Sequence, residues 1–293
     1  MSASLAVPAP RAAAPNSYWA GVRRRLLRDR VTLICGGILL LMLLAMILAP
    51  YIAPHPPFQG SMVRRLKPIG FPGYPLGTDE LGRDMLTRLI YGGRLSWIMG
   101  ITPVAIAFVV GGFLGIAAGF AGGGLNMLIM RVTDVFYAFP SVLLAVAISG
   151  ALGSGISNAI LALTMVFIPP VIRVAETVTT SVRNLDYVEA ARASGAGAFT
   201  IVRVHVLPNV LGPIFVYATG LISVAMILAS GLSFLGLGTR PPEPEWGLML
   251  NTLRAAIYTQ PVVSVLPGIC IFVTSICFNL LSDGLRSAMD VRQ

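Results

Sequence analysis

The stretch Asp186-Tyr187-Val188-Glu189-Ala190-Ala191-Arg192-Ala193-Ser194-Gly195 is a polar island between two long apolar segments, and Leu207-Pro208 follows twelve residues later. Asp186 with Glu189 three residues on is typical of a capping box, and the alanines after it favour a helix. Gly195 can supply the left-handed turn that ends a helix. The sequence therefore predicts a short exposed helix, a glycine turn and a second helix over 198–206. Pro208 is predicted to stop that second helix, although proline is also accepted in the first turn of the next one.

The composition indicates an integral membrane protein. The 293 residues are 56% hydrophobic and 11% charged, with a mean hydropathy of +0.81, whereas a soluble domain is about 25% charged. The net charge of +9 includes one dense basic cluster, residues 23–30, beside an apolar segment. We interpret the cluster as a juxtamembrane orientation signal and not as a nucleic-acid contact.

Six apolar segments approach the 20 or so residues that a membrane helix needs. They are predicted at roughly 33–53, 97–119, 127–152, 156–174, 210–233 and 262–281. Arg131 and Asp134 lie near the start of the third segment and Arg173 near the end of the fourth, so every ionisable side chain is expected at or near an interface. The arginine-rich cluster before the first span places both termini, and with them the polar island, in the cytoplasm.

Small residues and prolines mark the spans. Gly111, Gly115 and Gly119 recur every four residues, which predicts the close approach of a neighbouring helix. Four prolines are expected to bend their helices; they are Pro103, Pro140, Pro169 and Pro170. Residues 1–17, rich in Ala, Pro and Ser, are predicted to be disordered. A cleaved signal peptide over 1–53 is the competing interpretation, but its apolar run is too long, so an uncleaved first span is expected.

Two further segments outside the spans stand out. The loop over 54–96 contains five polar residues with two possible roles: Thr78, Asp79, Glu80, Arg83 and Asp84. They could form a capped interfacial helix, with Thr78 as the cap and Glu80–Arg83 or Asp84–Arg88 as pairs along it. They could equally contact an extracytoplasmic partner. Residues 240–246, Arg-Pro-Pro-Glu-Pro-Glu-Trp, predict a rigid connector or lid.

Several chemistries are excluded by the residues present. The lone lysine, Lys67, precedes a proline, so no Gly-Lys-Ser/Thr phosphate loop exists. Two histidines, His55 and His205, are expected on opposite sides of the membrane and cannot form a metal cluster. A serine hydrolase pairing Ser233 with His205 fails because a bilayer of about 30 Å would separate them. The spans also lack the midplane carboxylates of ion-coupled transporters. The energy for any transport should therefore come from a partner.

The polar island and the residues that follow it have the spacing of a known sequence pattern. Glu189-Ala190-Ala191, three residues, Gly195, nine residues, His205, one residue and Leu207-Pro208 together resemble the EAA loop of ABC importer permeases. His205 stands where that family usually has an aliphatic residue, and residues 205–209, His-Val-Leu-Pro-Asn, resemble the peptide/nickel branch. Further matches to that branch include residues 75–84, 88–92, 232–238 and 278–286. The chain departs from the family at two places. Ile168 stands before the fourth-span prolines, where the family usually has Trp, and Ala175-Glu176 differ from the Arg-Gly-Glu that usually follows these prolines.

The resemblance implies an all-α membrane protein with six transmembrane helices, both termini cytoplasmic, and a type I ABC importer (MetI-like) permease core. Residues 1–30 would be tail and basic juxtamembrane segment, 31–95 the first span and extracytoplasmic loop, and 96–293 a five-helix core. The EAA loop, at about 184–209, would form a coupling helix that docks on a cytoplasmic ATPase. The coupling residues implied are Asp186, Tyr187, Glu189, Ala190, Ala191, Gly195, His205, Leu207 and Pro208.

The implied protein is a multi-pass subunit of the bacterial inner membrane, surrounded by lipid, and is not an enzyme. It would form half of a translocation pathway for peptides or related small solutes, with nickel as the second choice of cargo. The implied partners are a second homologous permease, one or two ABC ATPase subunits that bind ATP and Mg, and an extracytoplasmic solute-binding protein. No cofactor, metal or nucleic acid is implied for this chain. A channel or structural membrane subunit independent of an ATPase is the alternative.

Overall fold

The computed structural model describes residues 18–289, which are almost entirely helical. In chain order the helices are α1 (Tyr18–Leu26), α2 (Arg30–Ile47), α3 (Ala49–Ile52), α4 (Met85–Ala121), α5 (Gly123–Tyr137), α6 (Ser141–Leu152), α7 (Ile156–Arg183), α8 (Asp186–Ala193), α9 (Ala198–Ile201), α10 (Leu207–Phe234), α11 (Trp246–Leu253) and α12 (Pro261–Met289). Short 3₁₀ turns occur at Met62–Arg64 and Arg254–Tyr258, and a π-helical turn, Val202–Val206, joins α9 to α10. The predicted disordered segment, 1–17, lies outside the described residues.

Five stretches of helix are long and apolar enough to cross a membrane: α2, α4, α7, α9 with α10, and α12. A sixth span results if α5 and α6, bent by 86° at the break between them, count together. The predicted all-α membrane architecture is confirmed, with the bent pair α5–α6 in the place of the third of the six predicted spans. The prediction of one helix over 127–152 is wrong, because Pro140 lacks a backbone donor and its ring disfavours helical geometry in the preceding residue.

Four spans are longer than the sequence predicted: α4, α7, α9 with α10, and α12. Helix α4 begins at Met85 and not near 97, because the Asp84 carboxylate caps it, accepting the backbone N–H of Thr87 at 2.9 Å. It therefore crosses the predicted boundary at 95/96, so the preceding loop and the core share one helix. Helix α7 runs on to Arg183. As a result Arg173 lies ten residues before the end of its helix and not near that end.

The helix predicted over 198–206 does not stop at Pro208. Helical turns continue from Ala198 to Phe234. Pro208 lies in the first turn of α10, which is the other position where a helix accepts proline. The π-helical turn makes this possible, since the Leu207 N–H bonds to the Val202 carbonyl five residues back. Pro208, which has no N–H to donate, therefore lies directly after the turn in which the helical hydrogen bonds change their spacing.

Helices α4 and α7 share the most extensive helix contact in the described residues, and the glycine spacing predicted that α4 would have a closely packed neighbour. A Cβ atom added at Gly115 would lie 2.5 Å from the carbonyl oxygen of Ile172, and one at Gly119 would lie 2.7 Å from that of Glu176. Gly111 likewise faces the α7 backbone. Because these glycines have no side chain, α7 packs directly on the backbone of α4.

The charged side chains of the loop before α4 form a network with Arg88 of α4. We call Asp79, Glu80, Arg83 and Arg88 the loop network. The Asp79 carboxylate lies 2.6 Å from Arg83 Nε and 3.1 Å from Arg88 Nε, and Glu80 accepts from Arg83 Nη2 at 2.7 Å. The predicted Glu80–Arg83 pair is confirmed. The alternative Asp84–Arg88 pair is wrong, since Asp84 is engaged as the α4 cap and Arg88 turns to Asp79.

Thr78 does not cap a helix, contrary to the prediction. Its hydroxyl donates to the carbonyl of Arg64 and accepts the backbone N–H of Lys67, the latter at 2.8 Å. Thr78 therefore joins two parts of the loop by hydrogen bonds. Asp84, whose side chain reaches the first turn of α4, is the residue that caps the helix.

Neither role predicted for this loop is found as expected, since residues 78–84 form turns and not a capped helix. Four of its five candidate residues are at most 4% exposed; they are Thr78, Asp79, Arg83 and Asp84. Direct contact with a partner needs exposed side chains, so the structure does not support that role for these four, which hold the loop on α4. Glu80 reaches the surface in part. Burial, followed by the charge of Asp79, raises the pKa of the Glu80 carboxyl.

Residues 240–246 form a connector and not a lid. The Glu245 carboxylate caps α11 by accepting the N–H groups of Gly247 and Leu248, each at 2.9 Å, and it accepts the Ser96 hydroxyl at 2.9 Å. Trp246 Nε1 donates to the carbonyl of Leu89 on α4 at 2.9 Å. The connector is thereby fixed to the same helix that carries the loop network.

The α4–α7 contact predicts opposite effects for two neighbouring glycines. We expect Gly115→Ala to lower the thermal midpoint of the purified protein, because its Cβ meets backbone, and overpacking costs about 1–3 kcal/mol. Gly112→Ala is the matched control: its Cβ meets no atom within 4 Å, so the midpoint should hold or rise. Equal midpoints for the two variants would contradict the packing described.

The loop network predicts a large cost for removing its central carboxylate. Asp79→Ala leaves Arg83 and Arg88 buried without their partner, and breaking such a pair costs about 3–5 kcal/mol. We expect a lower thermal midpoint and faster proteolysis within 54–84. Glu80→Gln, at the edge of the network, should change both measurements much less. A protease pattern identical to that of the unaltered protein would rule out this role for Asp79.

Candidate functional site

Helix α8 starts one residue earlier than a capping box of Asp186 and Glu189 requires. Its cap position is Leu185, which offers no side-chain hydrogen bond, so the predicted capping box of Asp186 and Glu189 is not formed. Both carboxylates instead lie in the first turn of the helix. There they face the positive end of the helix dipole, which stabilises them.

The other end of α8 forms the predicted glycine turn. Gly195 has a φ of +83°, in the left-handed region. The N–H of Gly195 bonds to the carbonyl of Arg192 at 3.0 Å, and that of Ala196 bonds to Ala191 at 3.1 Å. These are the two hydrogen bonds of a Schellman motif, so the last carbonyls of α8 are satisfied within the loop.

One buried residue anchors α8 to the helix bundle. Val188 is fully buried and packs in the same core cluster as Ile201, Val206 and Val210. Sequence reasoning missed Val188, although it is the one branched aliphatic side chain in the polar island. Of the predicted coupling residues on α8, Ala191 packs partly against that core; the exposed ones are Asp186, Tyr187, Glu189 and Ala190.

A small polar contact joins α8 to the start of α10. Asn209 Nδ2 donates to the Tyr187 hydroxyl at 3.2 Å and to the His205 carbonyl at 2.7 Å. The rings of Tyr187 and His205 lie 6.1 Å apart, tilted by 51°. Asn209 was absent from the predicted site, and its position directly after Pro208 is the signal that could have included it.

The predicted coupling residues thus form two neighbouring groups. Asp186 to Gly195 belong to α8 and its glycine turn, whereas His205, Leu207 and Pro208 belong to the π-helical turn and the start of α10. Tyr187 and Asn209 bring the groups together. Gly195 and Pro208 are exposed, and His205 and Leu207 are half-buried.

The loop network lies at the opposite end of the molecule from α8. Helix α4 begins beside the network, and its last turn meets the end of α7, where Arg183 Nη1 donates to the Phe120 carbonyl at 3.2 Å. Its 37 residues span about 55 Å. The two candidate regions are therefore separated by the full length of a membrane-crossing helix.

The structure offers no pairing of Ser233 with His205. Ser233 is in the last turn of α10 and His205 precedes its first, and 28 residues of helix extend about 42 Å. Within residues 18–289 no group of three or more His, Cys, Asp or Glu side chains is arranged to hold a metal ion.

The sequence matches two family profiles. One, "Binding-protein-dependent transport system inner membrane component", covers residues 111–292, and the other, "N-terminal TM domain of oligopeptide transport permease C", covers residues 17–68. The fold is similar to that of a methionine ABC transporter, MetNI, in inward-facing conformations: the TM-score is 0.57 at 19% identity, covering 70% of this chain and 97% of that chain.

Curated relatives are similar over most of their length. The glutathione transport system permease protein GsiD of Pectobacterium atrosepticum is 38% identical over 97% of this chain and 94% of its own. The di/tripeptide transport system permease protein DppC of Pseudomonas aeruginosa is 42% identical, covering 87% and 86%. The dipeptide transport system permease protein DppC of Haemophilus influenzae is 37% identical, covering 90% and 91%. With an all-helical membrane fold of this type, the chain belongs to the family of inner-membrane permease components of binding-protein-dependent ABC importers.

Proposed function

We propose that this permease forms half of the translocation pathway of an ATP-driven importer for short peptides or related peptidic solutes such as glutathione. The substrate class is supported by the names of its relatives, which are 37–42% identical over at least 87% of the chain. ATP and Mg would be bound by the partner ATPases, and this chain would need no cofactor of its own.

The observation that carries the coupling role is the construction of α8. It is a short helix with an exposed polar face, a closed glycine end and one buried anchor, Val188. The small side chains of Ala190 and Ala193 allow close contact with a partner, and the carboxylate of Glu189 can accept hydrogen bonds from it. We therefore assign α8 as the helix that docks on the ATPase.

Movement of α8 would reach two membrane helices at once. Helix α7 ends at Arg183, just before α8, and Asn209 ties Tyr187 to the first turn of α10. A shift of α8 driven by the ATPase would therefore displace the ends of both α7 and α10. Inverting a conformational equilibrium from 1:99 to 99:1 takes about 5.5 kcal/mol, within reach of nucleotide binding at two ATPase sites.

The remaining partners follow from this assignment. A second, homologous permease would complete the pathway, one or two ATPase subunits would bind at the α8 end, and a solute-binding protein would dock at the other end. We place both termini in the cytoplasm, since α1 carries Arg23, Arg24 and Arg25 next to the first span. The loop network then lies on the extracytoplasmic face.

Two substitutions in the coupling loop test this role. Glu189→Lys reverses a charge on the exposed face, and Gly195→Asp strains a residue whose φ is +83°. Neither changes the buried anchor, so membrane levels should stay normal while uptake of a labelled dipeptide falls at least about tenfold, equivalent to ~1.4 kcal/mol. Ser233→Ala, at the far end of α10, is the control and should retain uptake. Normal uptake by the α8 variants at normal protein levels would refute the assignment.

The link between α8 and α10 makes a separate prediction. Tyr187→Phe removes the hydroxyl that Asn209 bonds but keeps the ring beside His205. Losing one such hydrogen bond costs about 1 kcal/mol, so we expect uptake per ATP hydrolysed to fall about fivefold. The matched control is Tyr258→Phe, since Tyr258 is 91% exposed and lies at the other end of the molecule. An unchanged ratio of uptake to ATP hydrolysis in Tyr187→Phe would show that the link is dispensable.

A further inference from the structure

An ion pair is exposed on two of the membrane-crossing elements. Arg173 of α7 and Asp134 of α5 lie 2.5 Å apart, with 46% and 47% of their side chains exposed. The guanidinium of Arg173 also lies over the ring of Tyr137, 4.9 Å from its centroid. The sequence places these charges at span ends, whereas the structure places Arg173 well within α7.

The depth of the pair restricts what can face it. Arg173 precedes the end of α7 at Arg183 by ten residues, about 15 Å of helix, and follows its start at Ile156 by about 25 Å. Exposed charges in a membrane-crossing helix are costly against lipid and occur where they face water or protein. The exposed side of the pair is therefore open to water or to a partner protein, and we take it to face the aqueous passage between the two permeases.

A cavity of about 190 Å³ adjoins the pair at Tyr137. Its lining includes Phe139, Ser141, Val166, Pro169 and Pro170. The two prolines have no N–H, so the carbonyls four residues earlier, those of Met165 and Val166, lack their helical donor. The cavity thus has largely apolar walls and a volume large enough for one side chain.

We propose that the Asp134–Arg173 pair and this cavity form a passage site that recognises the two charged ends of a zwitterionic short peptide. Arg173 pairs with the terminal carboxylate, Asp134 pairs with the terminal ammonium group, and a side chain of the peptide enters the cavity. The two protein charges pair with each other again once the peptide has moved on. The inference rests on the proposed function, because it takes peptides as the cargo.

Charge complementarity supports this class of ligand. A zwitterion satisfies both members of the opened pair, whereas a solute with a single charge would leave one member without a partner. The pair also lies at the 86° bend between α5 and α6, where Tyr137 ends α5. Pairing with the peptide therefore takes place where two elements of the pathway meet.

The test uses the complete importer, with both permeases and the ATPases, reconstituted in liposomes with its binding protein and dialanine as the probe. The main variant is the double substitution Asp134→Asn with Arg173→Gln, which removes both charges but keeps groups that can hydrogen-bond each other. We expect dialanine uptake to fall at least about tenfold, while the thermal midpoint and the ATPase stimulation by loaded binding protein are retained.

Two single variants sharpen the result. Arg173→Lys keeps the positive charge and should retain uptake to within about threefold, although it loses the planar guanidinium. Arg94→Gln is the matched control, because Arg94 also lies 4.9 Å from a tyrosine ring, that of Tyr91, but near the start of α4. It should leave the uptake of dialanine unchanged.

Three outcomes would overturn the passage site alone. The first is wild-type uptake by the double variant, and the second is a loss of uptake in Arg173→Lys as large as that in the double variant. The third is failure of the double variant to copurify with the second permease, which would make the pair a contact between subunits. No dialanine uptake by the unaltered complex, despite stimulated ATP hydrolysis, would instead overturn the proposed substrate class and the site with it.

Discussion

The direct contact of α4 with α7 is the packing constraint on which the other parts depend. The absence of side chains at Gly111, Gly115 and Gly119 lets α7 pack directly on the backbone of α4. At one end this contact positions Arg183 on the last turn of α4, immediately before α8. At the other end α4 carries the loop network and receives Trp246 from the connector. Both candidate regions are thus attached to one pair of helices.

Much of this arrangement could be predicted from the sequence because its signals are local or compositional. The length of the apolar segments predicted the spans, the spacing of the glycines predicted a closely packed neighbour for α4, and Gly195 predicted the left-handed turn that closes α8. The predictions that failed depended on partners distant in sequence or on one-residue shifts. Asp84 and not Thr78 is the helix cap in this region, and Arg88 pairs with Asp79 and not with Asp84. Both differences arise because the folded loop brings other groups together than the sequence spacing suggests.

The residues of the coupling loop could likewise be predicted only in part. Its exposed residues were found from their pattern, but Val188 and Asn209, which attach the loop to the core and to α10, were not. Neither carries a charge or an unusual spacing, and their importance arises from what lies opposite them. The ionisable residues of α5 and α7 were likewise assigned to span ends, since sequence alone could not place the end of α7 at Arg183.

The π-helical turn at Val202–Val206 has a mechanical consequence for the segment that precedes it. A π turn holds one residue more than an α turn, so its hydrogen bonds can pass to the neighbouring carbonyls without unwinding the helix beyond. Pro208, which has no donor of its own, is thereby accommodated without interrupting the helical turns from Ala198 to Phe234. A load applied at α8 can therefore be carried along unbroken helix into the span of α10.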